Sequence, residues 1–393
     1  MTNITKTSIW RFGILLLVAL GMSGCGMFDK NKSDDEVDLK PAKLIKFDEE
    51  VKVKKLWSNG IGSGQGKAFA RLELFMEADT LYVAEAGGDV FALDRNTGKT
   101  IWKRDVDSDI SGGVGIGADL AIVGTSSGEV IALKQSDGTR VWTANVGGEI
   151  LAPPAAASDI VVVQTFSGKL IGLDASSGDK VWEYKSNMPV LTLRGTSYPV
   201  IADGIVYAGF ANGKLVSIQV TDGKVIWEAK VSPPSGQSEI ERIVDVEGPA
   251  LVVGSMVYAV SYQGRITAFD RRTGQAKWFQ EASSVNGLSE GFGNVYYSHT
   301  DGTVVALDVA NGNVRWTQGQ LARRNLNAPE AFRNYVAVAD YDGVVHFLSQ
   351  VDGHMVAREK LGSGGVRAHM LSRGNILYVY GNGGKLIAYQ VEE

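Results

Sequence analysis

One cysteine in 393 residues, Cys25, rules out an internal disulfide and any vicinal cysteine pair. Proline is scarce, with nine residues, and the four histidines, His299, His346, His354 and His369, form no HxH or HExxH pattern of the kind that holds a catalytic metal. A basic excess is also missing: the formal net charge is −5, which argues against nucleic acid as a partner. Long apolar runs are confined to Phe12–Leu20, nine residues that as helix would cover about 14 Å, under half of a bilayer core. What remains is plentiful glycine, 48 residues, in a chain that is 44% hydrophobic. Such a chain can bury a large core and make many tight turns, and an all-β architecture is the class these proportions favour.

The first residues read as an address. Lys6 and Arg11 precede the short apolar run, and Ser23-Gly24-Cys25 follows it, so residues 1–24 have the form of a secretion signal. The small-small-Cys ending resembles a bacterial lipoprotein cleavage site, which implies acyl chains on Cys25 and a membrane attachment made stable by several chains together. Gly26 at the next position implies, by the same resemblance, export to the outer membrane with the mature protein facing the periplasm. Residues 25–50, rich in Asp, Glu and Lys, read as a lipidated cysteine and a solvated tether.

From residue 51 onward one unit repeats. Gly-x-Val/Leu-x-x-Leu-Asp, then a glycine turn, then tryptophan is seen first in Gly88…Asp94…Gly98…Trp102. Opening glycines recur at 88, 128, 168, 213, 264, 302 and 343, each with a second glycine ten residues on. Tryptophan follows at 102, 142, 182, 227, 278 and 316, with Ala357 in the seventh place. An eighth opening, Gly384, runs out of chain before its tryptophan, while Trp57 near the other end has no opening glycine. An N-terminal strand that completes the C-terminal sheet reconciles both. Residues 51–393 are therefore expected to form an eight-bladed β-propeller of four-stranded blades, closed by strand exchange between the chain ends.

The repeat explains most conspicuous residues without chemistry. Asp94, Asp174, Asp270 and Asp308 share a position where Lys134, Gln219 and Ser349 also occur, so turn hydrogen bonding is their expected role. Gly124-Thr-Ser-Ser-Gly128 has the form of a nucleophile elbow but joins two strands instead of a strand and a helix. Lys52, Lys54 and Lys55 belong to the solvated face of an outer strand. No catalytic, metal-binding or cofactor-binding residue is expected.

Two connections break the regularity. The interval from tryptophan position to next opening glycine is 24–27 residues, except 31 after Trp182 and 37 after Trp227. The excess falls at Ser186–Arg194 and Ser232–Asp245, where Leu191 and Leu193 beside Arg194, with Asp245 and Glu247, are candidate partner-binding residues. The same spacing fits loops that only cap the blade ends, with Leu191 and Leu193 turned inward.

The repeat resembles the PQQ-type propeller repeat. Some members of that superfamily are quinoprotein dehydrogenases, the alternative function, but their vicinal cysteines and carboxylate-rich calcium site have no counterpart in this sequence. Taken with the lipoprotein signal and the two loops, the chain more closely resembles the BamB family, the propeller lipoproteins of the outer-membrane β-barrel assembly (BAM) complex. That resemblance implies a scaffold without enzymatic activity or cofactor, docked on a periplasmic POTRA domain of the barrel-forming subunit BamA beside the other BAM lipoproteins. It carries contact roles onto Leu191, Leu193, Arg194, Asp245 and Glu247, the last standing where Asp is more usual. Exposed blade edges could also hold unfolded outer-membrane proteins by strand addition.

Overall fold

The computed structural model describes residues 40–67, 70–195, 197–362 and 364–392. The signal, Cys25 and the tether up to residue 39 lie outside them. Among the described residues, thirty-two strands form eight four-stranded antiparallel sheets. Blades 1 to 7 occupy residues 75–105, 110–145, 155–185, 200–230, 251–282, 289–318 and 330–360, each in simple sequential order. Blade 8 is composite. Its three inner strands span 371–392, and its outermost strand is Lys52–Gly60, paired antiparallel to Lys385–Glu392. Trp57 lies opposite Ala388 and Lys55 opposite Tyr389, so the ring closes through the chain ends as the repeat demands.

The tryptophans join blade to blade. Each indole N–H donates to a backbone carbonyl in the turn of the following blade: Trp57 to Arg95, Trp102 to Gln135, Trp142 to Ala175, Trp182 to Val220, Trp227 to Arg271, Trp278 to Val309 and Trp316 to Gln350. The second glycine of the repeat is the platform for this ring. At Gly138 a Cβ would stand 2.7 Å from Trp102 Cε3, and at Gly178 2.7 Å from Trp142 Cε3, so no larger residue fits beneath the indole. These glycines also take positive φ, +71° and +79°, which favours glycine on backbone grounds alone. The turn aspartates do as expected: Asp94 Oδ1 accepts the N–H groups of Asn96 and Thr97.

Ala357 now has a reason. The blade after it is blade 8, whose last two strands come from opposite ends of the chain and have no turn between them. A tryptophan at 357 would find neither carbonyl nor glycine. That seam is packed instead by Val51, Val53, Tyr389 and Val391 around Ala357.

Residues 40–50, assigned from composition to the tether, run against the ring. Leu44 and Phe47 pack on the core between blades 6 and 7. Glu50 N–H donates to Val356 O, Arg324 Nη1 to Ala42 O, and the Arg358 guanidinium lies over Phe47. The two apolar side chains, spaced by three residues among charges, are the feature that composition alone conceals.

Candidate functional site

The first long loop is pinned at its base and open at its tip. Asn212 Nδ2 of blade 4 donates to Asn187 O at 2.7 Å and to Ser186 Oγ at 2.9 Å. Beyond Pro189, Val190 is 89% exposed and Leu191 43% exposed. In the second loop Ser238 and Glu241 form a reciprocal capping box: Ser238 N–H donates to the Glu241 carboxylate and Glu241 N–H donates to Ser238 Oγ. The N–H groups of Gln237 and Ser238 hold the Glu241 carboxyl below its usual range. Ile240, inside that turn, is 66% exposed. A single apolar exposure of this kind is common, but here it recurs on both of these connections.

The loops meet. Leu193 N–H donates to Asp245 Oδ2 at 2.7 Å, across 52 residues of sequence. Two residues later a Cβ at Gly195 would collide with the Glu247 carboxyl, so the first loop lies directly on the end of the second. Arg194 reaches back to Glu149 Oε1 at 2.6 Å and lies over the Phe166 ring. All five candidate residues therefore gather where blades 3, 4 and 5 adjoin.

Their exposure is unequal. Leu191 and Arg194 are exposed and Leu193 is half-buried, whereas Asp245 and Glu247 are buried. The sequence reading offers the two acids as complementary surface charge; the structure turns their carboxylates inward. The cause is local: the chain after Asp245 dives into the ring, with Val246 N–H donating to Phe210 O and Val246 in the core. Burial pushes the Asp245 carboxyl up to about 7, against the pull of the Leu193 N–H and with the neighbouring Glu247 charge adding to the rise. Burial likewise raises Glu247, opposed by Arg71, whose Nη2 is 3.8 Å away. Asp245 Oδ1, Glu247 Oε1 and Gln164 Oε1 accept no hydrogen bond, and their side chains line one cavity of about 10 Å³.

Sequence reasoning missed a neighbouring cluster. A cavity of about 150 Å³ is lined by Arg71, Glu73, Arg194, Glu247, Arg367 and His369, among others. These come from connections entering blades 1, 4, 5 and 8, which can converge only toward the centre of the ring. His369 N–H donates to Glu73 Oε2 at 2.6 Å, and its Nε2 lies 3.2 Å from Glu330 Oε2. Burial lowers the His369 imidazole, yet the bond and charge of Glu330 and the charge of Glu73 outweigh it and leave the group raised. None of these residues belongs to the repeat motif, so no periodic signal marks them.

Comparison with known proteins agrees with this architecture. Residues 52–318 match the family described as outer membrane protein assembly factor BamB. A Pseudomonas aeruginosa protein of that name is 50% identical over 382 residues, covering 97% of this chain and 99% of the relative. The crystal structure of BamB from Moraxella catarrhalis superposes with a TM-score of 0.80 at 30% identity, over 86% of this chain and 99% of that one. A quinohemoprotein alcohol dehydrogenase from Comamonas testosteroni has a TM-score of 0.67 at 14% identity over 86% of this chain and 76% of its own, a likeness of fold alone. The chain belongs to the BamB family of outer membrane protein assembly factors.

Proposed function

We propose that this protein is a non-catalytic scaffold of the outer-membrane β-barrel assembly machinery, docking on a POTRA domain of BamA through loops 186–194 and 232–245. Family membership supports the assembly role and an outer-membrane station. The observation that carries the docking surface is the Leu193–Asp245 hydrogen bond, which fastens the two long connections into one surface on a rigid ring. Leu191, Leu193 and Arg194 supply the contact. Asp245 and Glu247 hold it from beneath. A lipid on Cys25 anchors the ring at the outer membrane, facing the periplasm, where the partner's soluble domains are within reach.

The test is co-purification from detergent-solubilised envelope. Leu193→Ala with Arg194→Ala removes a half-buried apolar anchor and an exposed cation from the loop and leaves the interblade tryptophans untouched. BamA is expected to be lost from the purified variant while its thermal transition stays within about 2 °C of the wild type, since surface substitutions cost little. Retained BamA at wild-type yield would overturn the docking assignment. The dehydrogenase alternative has no site-level support, and incubation with the quinone cofactor and calcium is expected to give no dye reduction.

A further inference from the structure

The small cavity under the first loop contains a chemical contradiction. Asp245 Oδ1, Glu247 Oε1 and Gln164 Oε1 are all acceptors, and none has a donor. The Gln164 amide cannot turn round to help, because its Nε2 donates to Gly209 O at 2.7 Å. The other described side chains of the lining, among them Thr165, Phe166, Met188, Ser197 and Phe210, bring no positive charge. The groups facing the pair are few. Glu247 faces Asp245; Arg71 approaches Glu247 from the adjacent larger cavity, where Glu73, Arg194, Arg367 and His369 lie beyond it. Two buried carboxylates with one cation on the far side of one of them are the arrangement in which a proton is retained.

We infer that Asp245 and Glu247 share one proton in this cavity, and that the proton latches loop 186–194 onto the ring. A proton on Asp245 Oδ1 turns that atom from a third acceptor into a donor toward Glu247 or Gln164. Asp245 Oδ2 continues to accept the Leu193 N–H. One hydrogen then satisfies Asp245 Oδ1 and one of the other two acceptors, in a space no larger than a single water. Asp245 is thus a positioning residue: it reaches a partner only through the backbone of Leu193. Removing the proton leaves two like charges side by side and weakens the loop's attachment, so the latch is tightest in mildly acidic medium. The raised Asp245 carboxyl, at about 7, agrees with this and sets the range. The sign follows from linkage: a carboxyl that is raised when the loop is closed binds its proton better closed than open, so closure weakens as pH rises from the ordinary carboxylate range to about 7 and is constant above it.

The inference gives regulation to the docking surface and in that sense rests on the proposed function, but its test needs no partner. Hydrogen exchange of the Leu193 amide is measured on the full chain from pH 5 to 8.5, with intrinsic exchange divided out. Wild-type protection is expected to fall by up to about tenfold per pH unit between 5 and 7 and then to level. Asp245→Asn keeps an oxygen for Leu193 and places an N–H where the proton was, so its amide is expected to stay protected at every pH. Asp245→Ala is expected to be unprotected throughout. Wild-type protection that does not change with pH overturns the inference, as does an Asn variant as unprotected as the Ala variant. Protection that collapses with EDTA and returns with calcium also overturns it, because a cation would then be filling the cavity. BamA retained by the Leu193→Ala, Arg194→Ala variant, with an intact wild-type pH profile, would sink the proposed function and leave the latch standing.

Discussion

Replacing Gly98 by alanine isolates what the interblade tryptophan contributes at the point where the ring closes. Gly98 has φ +68° and lies under Trp57, the tryptophan of the N-terminal strand; a Cβ there would stand 2.6 Å from Trp57 Cδ2. Gly374, in blade 8, has φ +64° and nothing within 4 Å of its hypothetical Cβ. Both substitutions incur the left-handed backbone cost, about 1–2 kcal/mol. Only Gly98→Ala displaces an indole, which adds about 1–3 kcal/mol of overpacking. It also breaks the Trp57 bond to Arg95 O, worth about 1 kcal/mol. The expected difference between the two variants is therefore about 2–4 kcal/mol in urea unfolding followed by tryptophan fluorescence. Equal losses at the two positions would refute the interlock and leave backbone strain as the only role of these glycines.

Restoring the missing tryptophan is expected to harm the protein: Ala357→Trp enters a seam with 1% exposure and no turn to receive it, and should cost at least about 1–3 kcal/mol in the same assay, where a gain would contradict the explanation of the seam. Asp340→Ala removes the buried partner of Arg324 Nε, at 2.6 Å, and of His346 Nε2, at 3.0 Å, and should cost about 3–5 kcal/mol. Because Arg324 also holds Ala42 O, cleavage within residues 40–50 by a probe protease should accelerate in that variant. Burial acts to raise the Asp340 carboxyl, but His346, the Val344 N–H and Arg324 hold it below its ordinary value, so its contribution is present at neutral pH and lost on acidification. The wild type is expected to lose more stability than the variant between pH 4 and pH 2, and parallel curves would refute the assignment.

The ring was legible because its repeat has a strict ten-residue step between glycines and because Trp57 and Gly384 are complementary halves of one unit. Strand pairing followed from pattern, and so did the turn role of Asp94. The exception at Ala357 could be seen but not explained, since its cause is a turn that the composite blade 8 does not have. Loop lengths picked out the two connections that the structure joins through Leu193 and Asp245, but not which of their side chains face out. Burial of Asp245 and Glu247 depends on the direction the chain takes after the loop, a tertiary matter that spacing does not encode. Arg71, Glu73, Arg367 and His369 were silent for a related reason: they sit in inner connections, meet only toward the centre, and share no periodicity. Leu44 and Phe47 were hidden in a charged stretch because two apolar residues suffice to seat an extended segment.

The central claim is that one surface, built from residues 186–194 and 232–245, binds the barrel-forming subunit. Titration calorimetry with the purified periplasmic domains of BamA tests it most directly. The account predicts one-to-one binding by the wild-type ring, weakened at least tenfold by Leu193→Ala with Arg194→Ala, which is about 1.4 kcal/mol or more. Equal affinities for the two proteins would contradict it.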